Sequence, residues 1–252
     1  MTKTPATIAT LVIVVAALVG AACRNSRGRP APDSEVIPPR AITDFTRLYA
    51  SNCAGCHGAE GKDGAAIPLG DPVFLTIADD TVIRRIATTG VPGTPMPAFA
   101  HSAGGMLTDK QIDALVTGIR SWAKPDHLTG ISVPPYTAQA PGDPARGAHV
   151  YATYCSSCHG PDGRGGVRAS SIVEGAFLAL VSDQDLRTIV IVGRPDLGAP
   201  DWRDNVPGHP MSGEEISDVV AWLSAQRPEF PGPVPGPTDT SGAGIATTGQ
   251  LK

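Results

Sequence analysis

Apolar residues recur at helical spacing at two distant places in the chain. Ile112, Leu115, Val116 and Ile119 follow Thr108, and Ile216, Val219, Val220 and Leu223 follow Ser212. Offsets of three and four residues place each set on one face of a helix. Thr108 and Ser212 are good N-caps, and Gln111 and Glu215, three residues on, complete the pattern of a capping box. A second helix is predicted over 79–89 and again over 183–192. A further helix should lead into residues 53–57 and 155–159. No convincing polar–apolar alternation of a strand appears, so the chain reads as mainly α.

The elements fall into two similar blocks. Tyr49 and Tyr151 each precede a Cys by four residues. His57-Gly58-Ala59-Glu60-Gly61 matches His159-Gly160-Pro161-Asp162-Gly163, and Phe74-Leu75 matches Phe177-Leu178. Asp80–Gly90 matches Asp183–Gly193, and Thr108–Trp122 is paired with Ser212–Trp222. A repeat of this length indicates duplicated domains, not a solenoid. The boundaries read from it are 41–125 and 145–228. Residues 126–144, with Pro134-Pro135 and Pro141-Gly142, are the linker.

The ends are different. Ile8–Ala22 is apolar, follows Lys3 as the lone charge, and ends in small residues, so 1–22 reads as an export signal. It is short for a permanent transmembrane helix. Gly20-Ala21-Ala22-Cys23 resembles a bacterial lipoprotein cleavage box, although Gly20 stands where Leu is usual. This makes Cys23 the candidate lipidation site; ordinary cleavage after Ala22 and an uncleaved anchor are the alternatives. Residues 23–40 read as a lipidated N-terminus and flexible tether. Residues 229–252, rich in Pro, Gly, Ser and Thr, read as a disordered tail.

Composition narrows the chemistry. The net charge of −4, from 20 basic and 24 acidic residues, argues against nucleic acid as a partner. The 29 glycines and 25 prolines favour small, loop-rich domains over one large core. Of five cysteines, four stand in Cys53-Ala54-Gly55-Cys56-His57 and Cys155-Ser156-Ser157-Cys158-His159, so no pair remains for a structural disulfide.

Cys-x-x-Cys-His is the attachment signature of c-type haem. Its two-residue spacer separates the thiols by about one helical turn, so each can add to a haem vinyl group. His57 and His159, following directly, are the candidate proximal iron ligands. Two covalently bound haems are therefore expected. Rossmann, P-loop, nucleophile-elbow and zincin motifs are absent from the sequence, so organic catalysis by the chain itself is not expected.

With these motifs in view, each block resembles a class I cytochrome c domain; the resemblance covers about two-thirds of the chain. It implies two tandem domains, each a few helices around a haem. First and last helices are then expected to cross, with Tyr49 against Trp122 and Tyr151 against Trp222. Gly147 matches the small residue of that crossing, whereas the first domain has Phe45. The resemblance also implies a Pro-x-Leu-like segment whose proline carbonyl orients the proximal imidazole. Pro68-Leu69 lies near that place, but the second block has Ser170-Ser171-Ile172.

Met96, in Gly93-Thr94-Pro95-Met96-Pro97-Ala98-Phe99, is close to the family's distal-ligand pattern, with Met106 as its rival. Six residues beyond Gly90 lies Met96; six beyond Gly193 lies Ala199, which cannot bind iron. The second distal ligand is therefore Met211, His209 or none, with Met211 also readable as a core residue. His101, His127 and His149 read as surface residues. Arg84, Arg85 and Arg187 read first as exposed charges, with haem propionates as alternative partners.

The expected function is single-electron transfer by an exported dihaem cytochrome on the periplasmic side of a bacterial membrane. Its partners would be other cytochromes, a terminal oxidase or a dehydrogenase, and the membrane through Cys23. A haem subunit of a larger complex, or a small-molecule redox enzyme with an open second haem, are the alternatives.

Overall fold

The structure is a computed structural model describing residues 37–228. Residues 1–36, which include the segment read as an export signal, Cys23 and most of the segment read as a tether, and residues 229–252, read as a tail, lie outside the described residues. A compact unit begins at Ile42; of the segment before it, the described residues form a short 3-10 turn, Pro39–Ala41.

That unit is helical. Its first half contains α1 (Phe45–Asn52), α2 (Ala54–His57), α3 (Pro72–Ile77), α4 (Asp80–Thr89) and α5 (Asp109–Arg120). The second half repeats the order as α6 (Pro144–Tyr154), α7 (Ser156–His159), α8 (Gly175–Leu180), α9 (Asp183–Val192) and α10 (Gly213–Ser224). Among the described residues β-pairing is confined to isolated bridges, such as Arg194 with Ala199. The mainly α reading of the sequence holds, as do both predicted last helices and their capping boxes at Thr108 and Ser212.

Local chemistry sets the helix starts. Asp71 accepts from the Val73 and Phe74 amides, and Pro72 takes the first turn, where its missing N–H costs nothing. Asp143 and Pro144 repeat the device at α6. Ser182 and Asp185 form a third capping box at α9. Cys53 and Cys155 each sit at a break between two helices with matching backbone angles (φ −119°, ψ −40° and φ −118°, ψ −32°).

In each half the first and last helices pack together, α1 on α5 and α6 on α10. At the first crossing, a Cβ on Gly118 would overlap the Phe45 ring. At the second, a Cβ on Gly147 would overlap the Asp218 carbonyl and approach Trp222 Cβ at 2.8 Å. Gly118 and Trp222 each lie ten residues after their N-caps, Thr108 and Ser212; Phe45 and Gly147 each lie eight residues before the first motif Cys, Cys53 and Cys155. The crossing thus keeps one large and one small residue but exchanges which helix carries which. This is how the first crossing accommodates Phe45 where the second has Gly147, keeping one bulky ring at a contact whose volume tolerates little change.

The pairing of Trp122 with Trp222 by register is corrected here. Trp222 lies inside α10, whereas Trp122 lies beyond the end of α5. Both indoles nevertheless reach the same place. Trp122 would stand 2.9 Å from a Cβ on Gly61, and Trp222 3.4 Å from one on the matching Gly163. Trp122 meets Tyr49 edge-on at 5.0 Å, while Trp222 stacks on Tyr151 at 4.2 Å.

One buried cluster runs through both halves, from Leu48, Phe74 and Ile112 to Ile191, Trp202 and Ile216. The segment read as a linker joins it: Leu128 is buried, and Tyr136 packs against the cluster. Arg187 holds that segment. It is 3% exposed and donates to the carbonyls of Pro135, Tyr136 and Gly213 and to Ser217 Oγ. The reading of Arg187 as an exposed charge is therefore wrong, and its donors are committed to the protein interior. Burial pushes its pKa down. Arg84, the matching residue, is exposed and pairs with Asp113.

Candidate haem sites

Each Cys-x-x-Cys-His segment is built by the same local contacts. The preceding helix ends at the first Cys, whose N–H bonds the tyrosine carbonyl one turn back, Tyr49 at 2.8 Å and Tyr151 at 2.9 Å. A four-residue helix then brings the second Cys and His round by one turn. Gly58 and Gly160, both at positive φ, end it and let the chain double back. The tyrosine hydroxyls donate to those glycine carbonyls, Tyr49 at 3.0 Å and Tyr151 at 2.5 Å. Burial pushes both phenols up to about 12, so they remain donors.

His57 Nδ1 lies 2.7 Å from the Ile67 carbonyl, and His159 Nδ1 lies 2.8 Å from the Ser170 carbonyl. A carbonyl only accepts, so Nδ1 carries the proton and Nε2 keeps its lone pair for a metal. The expected acceptor, the Pro68 carbonyl, is off by one residue. Pro68 acts through its neighbour: a proline restrains the preceding residue to extended backbone, and Ile67 is that residue. In the second half Ser170 supplies the same bond without a following proline, because the acceptor is main chain. Burial holds the His57 imidazole below its ordinary pKa, opposed by the Ile67 bond.

The four motif thiols are free. Burial, reinforced by the neighbouring motif Cys, raises Cys53 to about 11 and Cys155 to about 12. Among the described residues no cluster of three or more His, Cys, Asp or Glu could hold a bare metal ion. Paired thiols beside an oriented imidazole with a free Nε2 fit a covalently attached haem. Cys53, Cys56, Cys155 and Cys158 would hold the ring, and His57 and His159 the iron; the haem supplies one-electron chemistry between ferric and ferrous iron.

The distal segments are equivalent by their backbone. The Val91 N–H bonds the Met96 carbonyl at 3.0 Å, and the Arg194 N–H bonds the Ala199 carbonyl at 3.0 Å. Gly90 and Gly193, at positive φ, pack against those same segments. Met96 and Ala199 therefore occupy one place, as the count along the chain implied. Met96 is half-buried between two prolines, and its N–H bonds Thr94 Oγ1 at 3.2 Å. Met106 is 87% exposed.

Met211 is 2% exposed and belongs to the core cluster with Trp202 and Ile216. Its N–H bonds the Trp202 carbonyl at 2.9 Å, as the Leu107 N–H bonds the Phe99 carbonyl at 2.8 Å. Met211 thus stands in the place of Leu107, directly before the N-cap. This is the position of the core alternative. His209 is exposed, as are His101, His127 and His149.

Sequence reasoning missed the Ile67 and Ser170 carbonyls and the burial of Arg187. Pro68 signalled the first; the other two left no local signal.

The family described as "Cytochrome C oxidase, cbb3-type, subunit III" matches residues 40–117 and 142–223. The chain is 36% identical over 140 residues to the cbb3-type cytochrome c oxidase subunit CcoP of Azospirillum sp. (strain B510), covering 51% of this chain and 43% of that protein. It is 31% identical over 140 residues to subunit FixP of Sinorhizobium medicae (strain WSM419), covering 50% and 41%. It is 23% identical over 179 residues to the cytochrome bc1 complex cytochrome c subunit of Mycobacterium tuberculosis (strain ATCC 25618 / H37Rv), covering 70% and 60%. The chain thus spans less than half the length of these two cbb3-type relatives. A Kuenenia stuttgartiensis reducing HAO-like protein complex, Kustc0457/Kustc0458, aligns at TM-score 0.44 and 20% identity over 77% of this chain and 100% of that one.

Proposed function

The chain belongs to the cytochrome c oxidase, cbb3-type, subunit III family, and on that premise we propose that it is a dihaem cytochrome c passing single electrons in a respiratory chain. The observation that carries this is the pair of Cys-x-x-Cys-His segments, each with its histidine Nδ1 bonded to a main-chain carbonyl. That bond fixes the imidazole plane and strengthens the ligand before iron arrives. The relatives' names, an oxidase subunit and a bc1 complex subunit, support respiratory redox partners for this chain.

We assign Met96 as the distal ligand of the first haem. The second haem has Ala199 in that place, and Met211 stands where Leu107 packs. This packing favours His209 or an exchangeable ligand over Met211 in its sixth position, and its potential should differ from the first. The same open position keeps small-molecule redox chemistry as the second reading.

The test is a redox titration of the purified holoprotein with optical and EPR spectra, beside a pyridine haemochrome count. Two haems retained on denaturation, with two unequal potentials, support the proposal. Release of haem by acid-acetone refutes it. High-spin ferric signal and carbon monoxide binding at the second haem favour the open site over His209.

The domain limits 41–125 and 145–228 are kept as proposed units. Export through residues 1–22 and lipidation at Cys23 rest on the sequence. Among the described residues no helix is long and apolar enough to cross a membrane. Cys23→Ser should shift the protein from the membrane fraction to the soluble one; a wild-type mature N-terminus without lipid by mass spectrometry refutes the anchor.

A further inference from the structure

The second half's distal segment differs from the first's by more than a missing methionine. Arg194 stands where the first half has Val91. Its N–H and C=O both pair with Ala199, each at 3.0 Å, closing a short loop through the turn Pro195–Leu197. Its side chain turns inward. Nε and Nη2 grip the Asp196 carboxylate at 2.9 and 2.6 Å, leaving the pair only 17% and 14% exposed. A guanidinium held bidentately by one partner presents its remaining donors in a fixed direction.

Those donors reach the other half. Nη2 donates to the Gly64 carbonyl at 2.8 Å and Nη1 to the Ala65 carbonyl at 3.4 Å. Asp63, next to them, adds a second carboxylate to the field at Arg194. Gly64 and Ala65 lie in the loop that follows the first Cys-x-x-Cys-His. In that loop the Ala66 N–H bonds the Cys56 carbonyl at 2.9 Å, and Ile67 supplies the carbonyl that orients His57.

We propose that Arg194 is a positioning residue that couples the two haem sites, tying the loop in the second haem's distal place to the loop that orients the first haem's proximal histidine. This deepens the dihaem reading and rests on it. The consequence is mutual: whatever loosens one loop loosens the other by the same free energy. Val91 has no donor with which to do this, so the coupling belongs to the second half alone.

The test uses the full holoprotein and Arg194→Val, which installs the first half's residue. Amide hydrogen exchange is followed at Ala199 and Ala66, together with the midpoint potential of the first haem. The expected result is exchange faster by about tenfold at both amides, the scale of one or two lost charge-assisted hydrogen bonds, with a shifted first potential. Arg194→Lys keeps the cation without the fork and should fall between. Acceleration confined to 194–199, or an unchanged first potential, overturns the coupling.

Should Arg194→Val mature poorly, Asp196→Asn releases the guanidinium from its grip. It should speed exchange at Ala66 to a smaller degree, and no change there overturns the proposal. One haem per wild-type chain would defeat the dihaem reading. Two haems with independent exchange would defeat the coupling alone.

Discussion

Met211→Ala separates packing from iron ligation at the second haem. The side chain is 2% exposed and packs in the cluster that holds Trp202, Ile216 and Val219. Truncation removes three heavy atoms beyond Cβ. At about 0.8 kcal/mol for each buried methylene-sized group, the transfer loss is about 2.4 kcal/mol, and the cavity left behind raises it to about 3–4 kcal/mol. In a unit of this size each kcal/mol lowers Tm by about 2–4 °C, so the fall should be about 6–16 °C. Calorimetry of the holoprotein reads the stability, and EPR and a redox titration read the iron. The expected outcome is a large loss of Tm with the second haem's spectrum and potential unchanged. Met211→Leu, which copies Leu107, should cost less than about 1.5 kcal/mol because volume and polarity are kept. A ligand would behave otherwise. If both variants lose a low-spin methionine signature and lower the second potential, Met211 binds iron and the packing argument fails.

Met96→Ala should have the converse profile, with loss of thioether ligation and a lower potential at the first haem and a smaller change in Tm, because Met96 is half-buried; an unchanged first-haem spectrum would remove Met96 as ligand. Gly118→Ala should destabilise, since its Cβ overlaps the Phe45 ring, and Phe45→Ala should relieve that clash in a double-mutant cycle; additive melting temperatures would refute the swapped crossing. Asp218 accepts from Arg146 and from the Asp143 N–H, and the Arg146 bonds hold its carboxyl below the usual carboxylate range. A depressed folded pKa contributes stability above the ordinary carboxylate value and loses it as pH falls through the folded one, so acid unfolding below about pH 4 should weaken its slope in Asp218→Asn; identical slopes would count against the pair. Tyr151→Phe should cost about 0.5–1.5 kcal/mol, the worth of the hydroxyl bond to the Gly160 carbonyl, with both haems retained; loss of the haem would show that the bond does more than stabilise.

The candidate haem-binding segments were readable from the chain because their geometry is local. Cys-x-x-Cys-His needs only one helical turn to place two thiols and an imidazole. The change from Met96 to Ala199 was readable for the same reason: a helix ending in glycine starts the count in both halves, and the backbone bonds from Val91 and Arg194 keep it in step. Caps at Thr108 and Ser212 are likewise contacts between residues three apart. What lay beyond the chain's reach involves partners far apart in sequence. Whether Met211 faces iron or core depends on Trp202 and on α10 closing over it. The two tryptophans looked equivalent because each ends a similar run, yet only the packed helices show one inside α10 and the other past the end of α5. Arg187 reads as a charge on an amphipathic helix until Pro135 and Tyr136, some fifty residues earlier, bring their carbonyls to it. Arg194 and Gly64 are 130 residues apart. Short-range rules place a donor or a ligand on its element; which carbonyl, ring or metal completes it is decided when the elements pack, because burial demands a partner wherever the fold supplies one.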